Sequence, residues 1–136
     1  MQTIDRILSA IKIYTGTEYL KLNGGQISEH RMVLASLLAT FSDEVSNIRR
    51  DADIQELMAE KSKIEIYKKH RLEESSQKDA ELEAKYSSLD EYVKAINLRA
   101  DARRYQMLYD SCKDILNAMS SRLRELETER RESNIN

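Results

Sequence analysis

The chain has 136 residues, a formal net charge of −2, one cysteine, three glycines and no proline. This length supports one domain, or one unit repeated in an oligomer. A sheet protein needs turn residues that this sequence does not supply, whereas 34% charged residues with abundant Ala, Glu, Lys and Leu favour long helices. A net-negative chain does not coat nucleic acid with its whole surface, but its charge does not exclude a local basic groove.

The cysteine count and the hydropathy pattern bear on the compartment. Cys112 has no second cysteine with which to form an internal disulfide. The sequence also carries no secretory-signal pattern and no apolar run close to the length of a membrane span. These features predict a soluble protein of the reducing cytoplasm that makes no membrane contact.

Residues 1–27 are predicted to form a short helix and a loop. Apolar residues over 3–13 recur at helical spacing, at Ile4, Ile7, Leu8 and Ile11. Residues 14–27 contain all three glycines and are expected to break this helix. Possible packing anchors within the break are Tyr14, Tyr19, Leu20 and Leu22.

Residues 28–72 are predicted to form one long helix, with Ser28 as its N-cap. Its apolar positions alternate by four and three, as in a coiled-coil seam: Leu34, Leu38, Phe41, Val45, Ile48 and Ala52. The phase then slips to a displaced stripe of Ile54, Leu57, Met58, Ile64 and Tyr67. A helix of this length would span roughly 65 Å, which is too long for one compact globule.

Residues 73–88 are predicted to be a connector in which the chain reverses through a short helix. Ser76 with Asp79, and Ser88 with Glu91, fit the capping pattern of two helix starts. Residues 89–136 then form the C-terminal helix, which is expected to run to about residue 131 and to fray over the last four residues. Its seam is the most regular of the chain: Leu98, Ala102, Tyr105, Tyr109, Cys112, Leu116, Met119, Leu123 and Leu126.

The predicted fold is therefore all-α. Two long antiparallel helices form a helical hairpin or coiled coil, with a short N-terminal helix. Because the apolar residues suffice for seams but not for a thick core, we expect a second copy of the chain to complete the burial.

Catalytic interpretations find little support in the sequence. His30 and His70 lie forty residues apart without metal-ligand or acid–base spacing around them. Cys112 occupies a seam position, which is more typical of a small buried hydrophobe than of a nucleophile. Gly24-Gly25 is not followed by the Lys-Ser/Thr of a phosphate loop. We predict no enzyme activity, no metal and no cofactor.

A basic segment, residues 61–71, is the strongest candidate site. It reads Lys61-Ser62-Lys63-Ile64-Glu65-Ile66-Tyr67-Lys68-Lys69-His70-Arg71 and sets five Lys or Arg residues against one Glu around a tyrosine. This composition suits phosphate contact and base stacking, although charge runs on long helices are often only solvated faces. Helical geometry puts Lys63, Tyr67 and His70 on one face and Lys61 and Lys68 nearly opposite.

A second basic group lies on the last helix at Arg99, Arg103 and Arg104, beside Tyr105. These arginines could approach the first long helix and contribute to binding. They could equally form surface salt bridges.

Two segments resemble the UvsY family of tailed-phage recombination mediators. The first is Lys61-Ser62-Lys63-Ile64-Glu65-Ile66-Tyr67. The second comprises Leu108-x-Asp110-x-Cys112, Leu116-Asn117-Ala118-Met119 and Ser121-Arg122. The resemblance covers roughly residues 30–125, and it departs from the family pattern in the glycine-free connector and the charged tail.

The resemblance implies a non-enzymatic helper of phage homologous recombination and repair in the host cytoplasm. Such mediators bind single-stranded DNA, weaken the hold of a single-strand-binding protein, load a RecA-like recombinase and assemble as rings. Carried over by motif, Lys61 and Lys63 are the DNA-contacting pair. Charge and stacking arguments add Tyr67, Lys68, Lys69 and Arg71. The oligomer is expected to form through the C-terminal seam: Tyr105, Tyr109, Cys112, Leu116, Met119, Leu123 and Leu126.

Two other functions stay open at this point. The chain could be a coiled-coil scaffold or adaptor whose charges are only solvated. It could also be a small phage inhibitor that binds a host protein through a helical face.

Overall fold

The computed structural model describes residues 2–16 and 18–135, and these residues form helices and short connections without a strand. Helix α1 spans Thr3–Thr15, and a 3-10 helix follows at Glu18–Lys21. Helices α2, α3 and α4 span Gly24–Leu72, Gln77–Ser87 and Leu89–Ile135. The prediction of an all-α chain with two long helices is confirmed.

Helix α2 begins four residues earlier than predicted, so Ser28 lies inside the helix and is not its cap. The cap is Asn23, whose Oδ1 accepts a hydrogen bond from the Gln26 backbone N at 2.9 Å. Gln26 Oε1 in turn accepts from the Asn23 backbone N at 3.0 Å. This reciprocal capping box satisfies two free amides, so Gly24 and Gly25 start the helix instead of breaking it.

Helix α2 ends in a Schellman turn at Glu74. The Ser75 amide donates to the His70 carbonyl at 3.0 Å, and the Glu74 amide donates to the Arg71 carbonyl at 3.2 Å. Glu74 has a φ of 61°, the left-handed conformation that favours glycine at this position. The turn that ends α2 therefore contains a glutamate with a strained backbone.

Glu74→Gly should raise the free energy of unfolding by about 1 kcal/mol, because glycine removes the cost of the left-handed backbone. Urea unfolding followed by circular dichroism measures the change. Glu73→Gly is the matched control, since Glu73 does not have a positive φ and should gain nothing. Equal or lower stability of Glu74→Gly would contradict the assigned strain.

The two predicted serine caps differ in outcome. Ser76 caps α3 as predicted, because its Oγ accepts from the Asp79 amide at 3.1 Å. Ser88 does not cap through Glu91; its buried hydroxyl instead donates back to the Ala84 carbonyl at 2.6 Å. Helical hydrogen bonds continue on both sides of Ser88, so α3 leads almost directly into α4. Helix α4 extends to Ile135, past its predicted end, while Asn136 lies outside the described residues.

The chain divides into two compact units. Unit 1 comprises Met1–Val45 and Tyr105–Asn136, and unit 2 comprises Ser46–Arg104. Both long helices contribute a segment to each unit.

Large apolar side chains from α1, α2 and α4 form the core of unit 1. The buried members are Ile7, Ile27, Leu34, Leu38, Phe41, Val45, Cys112, Ile115 and Met119. Phe41 is fully buried, and its ring centroid lies 5.4 Å from that of Tyr105. The first four residues of the first predicted seam, Leu34, Leu38, Phe41 and Val45, are therefore buried in this unit. At its edge, the Tyr14 hydroxyl and His30 Nδ1 are 2.5 Å apart in a hydrogen bond.

Small side chains form the core of unit 2. Its buried residues are Ala52, Ala59, Ala80, Ala84, Ser88, Ala95 and Ala102. An alanine is fully buried only where a neighbouring helix lies close to its own backbone, so these residues form a tight alanine seam. The displaced stripe is not part of this core: Ile54, Leu57, Met58 and Ile64 are exposed, and Tyr67 is half-buried.

Candidate nucleic-acid interface

The basic segment forms the last three turns of α2 and lies wholly in unit 2. Lys69, His70 and Arg71 occupy the final turn, where the negative end of the helix dipole favours cations. Five predicted contact residues are exposed to solvent: Lys61, Lys63, Lys68, Lys69 and Arg71. The helix thus presents their charges to a ligand in solution.

Lys61 and Lys68 lie on the outer face of α2, two turns apart and opposite the buried Ala59. Lys61 Nζ is 3.9 Å from Glu65 Oε1, and the two side chains are 76% and 66% exposed. An exposed ion pair of this kind contributes little to stability. A phosphate oxygen can therefore replace Glu65 beside Lys61 at small cost.

Lys63 lies on a different face, where its Nζ is 5.9 Å from the centre of the Tyr92 ring. This distance is near the limit for a cation–π contact. Burial raises the pKa of Tyr92 to about 12, and the nearby carboxylate of Glu60 adds to this shift. The Tyr92 hydroxyl has no partner with regular hydrogen-bond geometry among the described residues. Lys63 therefore lies over a neutral ring of α4, a neighbour that the sequence pattern gave no reason to expect.

Tyr67 is half-buried in the wall of a cavity of about 490 Å³. The cavity is lined by Glu60, Lys63, Ile64 and Tyr67 of α2 and by Glu81, Ala84 and Lys85 of α3. A base would have to enter this cavity to stack on the Tyr67 ring. Because its wall carries two carboxylates beside two ammonium groups, the cavity attracts a polyanion less than the outer face does.

Arg71 has a structural partner that sequence reasoning missed. Its Nη1 donates a hydrogen bond to the Ser75 carbonyl at 3.1 Å, across the turn that ends α2. Lys68 and Lys69, by contrast, pair with no carboxylate within the described residues. Their charges are the least compensated of the basic segment.

The second basic group is partly neutralised inside unit 2. Arg99 Nη2 lies 2.7 Å from Asp53 Oδ1 and 2.6 Å from Glu56 Oε2. The hydrogen bonds to Asp53 and Glu56 raise the pKa of Arg99 further. Of the two interpretations of this group, the salt bridge is the one observed for Arg99, while Arg103 and Arg104 are exposed.

The predicted oligomerisation residues lie in the core of unit 1. Cys112 and Met119 are buried there, and the other five pack against that core: Tyr105, Tyr109, Leu116, Leu123 and Leu126. Helices α1 and α2 of the same chain cover this seam, which the heptad pattern of α4 alone could not reveal. An interface between copies therefore has to use other side chains for most of its contact.

Two further features of the described residues bear on metal and thiol chemistry. Within residues 2–16 and 18–135, no three His, Cys, Asp or Glu side chains are grouped to hold a metal ion. Burial raises the pKa of the Cys112 thiol to about 11, which disfavours the nucleophilic thiolate. No helix in the described part of the chain is long and apolar enough to cross a bilayer.

Comparison with protein families, curated proteins and solved structures gives no match for this chain. Its function has to be inferred from its own residues and their arrangement.

Proposed function

We propose that this chain is a non-enzymatic, single-stranded-DNA-binding recombination mediator similar to the UvsY family. In this role it weakens the hold of a single-strand-binding protein on DNA and helps load a RecA-like recombinase in the host cytoplasm. The observation that carries the proposal is the outer face at the end of α2, where Lys61 and Lys68 are exposed two turns apart. Lys69, on the same helix end, has no carboxylate partner among the described residues.

A single strand suits this site better than a duplex. Lys61 and Lys63 lie on different faces of α2, whereas the phosphates of a rigid duplex would favour a single stripe of cations. A flexible strand can follow the helix edge and contact both faces. Tyr67 lines the neighbouring cavity, so a base that leaves the strand and enters this cavity would reach its ring.

We further propose that the mediator works as a homo-oligomeric ring in which the long helices pair antiparallel. The division of the chain supports antiparallel pairing, because the early part of α2 shares a unit with the late part of α4, and the late part of α2 shares a unit with the early part of α4. One subunit offers only a few phosphate contacts. Several linked copies on one strand raise the effective concentration of each site and thereby the overall affinity.

Titration of labelled single- and double-stranded oligonucleotides over a salt series tests this proposal. The wild-type chain should prefer the single strand. Lys61→Ala/Lys63→Ala should reduce its affinity by about tenfold or more and should flatten the log–log salt slope by about 1.4, or about 0.7 per lost phosphate contact. Lys61→Ala/Lys68→Ala should show a similar loss if the outer face dominates.

Lys12→Ala/Lys21→Ala is the matched control, since it removes two exposed lysines of unit 1, whereas the basic segment lies in unit 2. It should keep the wild-type affinity and salt slope. Negligible DNA binding by the wild-type chain would reject the mediator and favour the coiled-coil scaffold. Displacement of a single-strand-binding protein from the same oligonucleotide then separates a mediator from a simple DNA-binding protein.

A further inference from the structure

Unit 2 carries a largely apolar heptad stripe that stays exposed among the described residues. On a face of α3 and α4 beside the alanine seam, six exposed residues follow one another at spacings of three and four. At one end of this face, Ile96, Ala100 and Arg103 also line a cavity with Glu56 and the buried Ala95. This outer stripe consists of Tyr86, Leu89, Val93, Ile96, Ala100 and Arg103. Tyr86 and Ile96 are 70% and 66% exposed.

The spacing of the outer stripe indicates what kind of surface covers it. Apolar residues at alternating threes and fours form the seam by which one helix packs along another. The four large apolar side chains expose roughly 100 Å² each, about half of the roughly 800 Å² that each partner contributes to a standard interface. The comparable face of α2 is interrupted by Lys61 and Lys68, so it is less suited to helix packing.

We propose that the outer stripe is where two copies of this chain meet, packed antiparallel about a two-fold axis between Val93 and Ile96. In this register Val93 packs on the partner's Ile96, and Leu89 packs on the partner's Ala100. Tyr86 then faces the partner's Arg103, whose planar guanidinium stacks on an aromatic ring. The central layer thus pairs two β-branched side chains, and the layers on either side pair a large side chain with a small or complementary one.

Charges beside the outer stripe support the antiparallel arrangement. In the antiparallel arrangement, Glu83 of each copy lies opposite the partner's Arg104, and Asp90 lies opposite the partner's Asn97. No like charges therefore meet on that flank. A parallel pair would place Arg103 against the partner's Arg103. On the other flank Lys85 faces the partner's Arg99, whose charge Asp53 and Glu56 already neutralise.

This inference deepens the oligomeric part of the proposed function and does not depend on DNA binding. It assigns the contact between copies to α3 and α4 of unit 2, in place of the C-terminal seam that unit 1 buries in its own core. A two-fold contact closes at two copies, so a ring needs this contact together with a second one. The outer face of α2, with its lysines, stays free for nucleic acid.

Light scattering without DNA, over micromolar concentrations, tests the interface. The wild-type mass should be a multiple of the 15.8 kDa chain. Val93→Glu/Ile96→Glu should lower that mass at least twofold with unchanged helical circular dichroism, since both side chains are exposed. Leu57→Glu/Met58→Glu, on the exposed face of α2, should keep the wild-type mass. A monomeric wild type, or an unchanged mass in Val93→Glu/Ile96→Glu, would overturn the proposal.

Disulfide trapping tests the antiparallel register. Leu89→Cys and Ala100→Cys variants, mixed and mildly oxidised, should form mainly the disulfide between the two different variants. Disulfides only between identical variants would show a parallel pair and overturn the register. Cys112 does not compete, because it is buried. DNA titration of Val93→Glu/Ile96→Glu is a separate measurement. Light scattering reports loss of the interface and the titration reports loss of the DNA site, so the two failures are distinguishable.

Discussion

Phe41→Ala should lower the free energy of unfolding by about 3–5 kcal/mol, the largest effect expected in unit 1. Phe41 is fully buried among the large side chains of the core, and its ring packs against Tyr105 at 5.4 Å between centroids. Truncation removes this apolar burial and leaves a cavity that the surrounding helices fill only in part. Urea or thermal unfolding followed by circular dichroism measures the loss.

Leu57→Ala is the matched control for Phe41→Ala, because it also removes a large apolar side chain from α2. Leu57 is 69% exposed, so its truncation should change the free energy of unfolding by less than about 0.5 kcal/mol. Similar losses for the two variants would mean that the core of unit 1 does not depend on Phe41.

Ala59→Leu should destabilise unit 2 by about 2–3 kcal/mol, although leucine is the more hydrophobic residue. Ala59 has no exposed surface, and the other buried residues of unit 2 are alanines and Ser88. Three extra carbon atoms at this point force the packed helices apart or push side chains out of their preferred rotamers. The same unfolding assay detects the effect.

Met58→Leu, one residue earlier on the exposed side of α2, controls for the introduction of leucine itself. It should leave stability nearly unchanged, because both residues are good helix formers of similar volume. A neutral or stabilising Ala59→Leu would show that the seam has spare volume and is not tightly packed.

The buried face of α2 in unit 1 was predictable from the sequence, because large apolar residues at heptad spacing identify the face of a helix that is buried. Leu34, Leu38, Phe41 and Val45 all lie in the core, as their spacing predicts. The sequence pattern could not say which surface covers the C-terminal seam. A heptad on α4 is satisfied equally by a second copy or by α1 and α2 of the same chain, and the structure shows the second arrangement around Cys112 and Met119.

Unit 2 was predicted less well because hydrophobicity alone gives most weight to large side chains. Ile54, Leu57 and Ile64 suggested a continued seam, yet the buried positions are alanines whose small size permits close packing. Each buried alanine removes little apolar area from water, so an alanine seam gives only a weak hydrophobic pattern in the sequence. Exposure of the larger residues then follows from helical geometry.

Helix boundaries depended on local hydrogen bonds that the sequence did contain. Asn23 and Gln26 fit the capping-box spacing, but the adjacent glycine pair suggested a break instead. The basic segment was located correctly on α2. Its long-range neighbour Tyr92 and the cavity beside Tyr67 could not be foreseen, because they arise only when α3 and α4 pack against α2.

The alanine seam also determines how firmly the basic segment is held. Burial of a methyl group contributes about 0.8 kcal/mol, whereas a fully buried leucine or phenylalanine contributes about 1.5–3 kcal/mol. Unit 2 therefore opens locally at a lower free energy than a core built like that of unit 1. Under the proposed function, such local opening would let the lysines of the basic segment adjust their separation to the phosphates of a flexible strand.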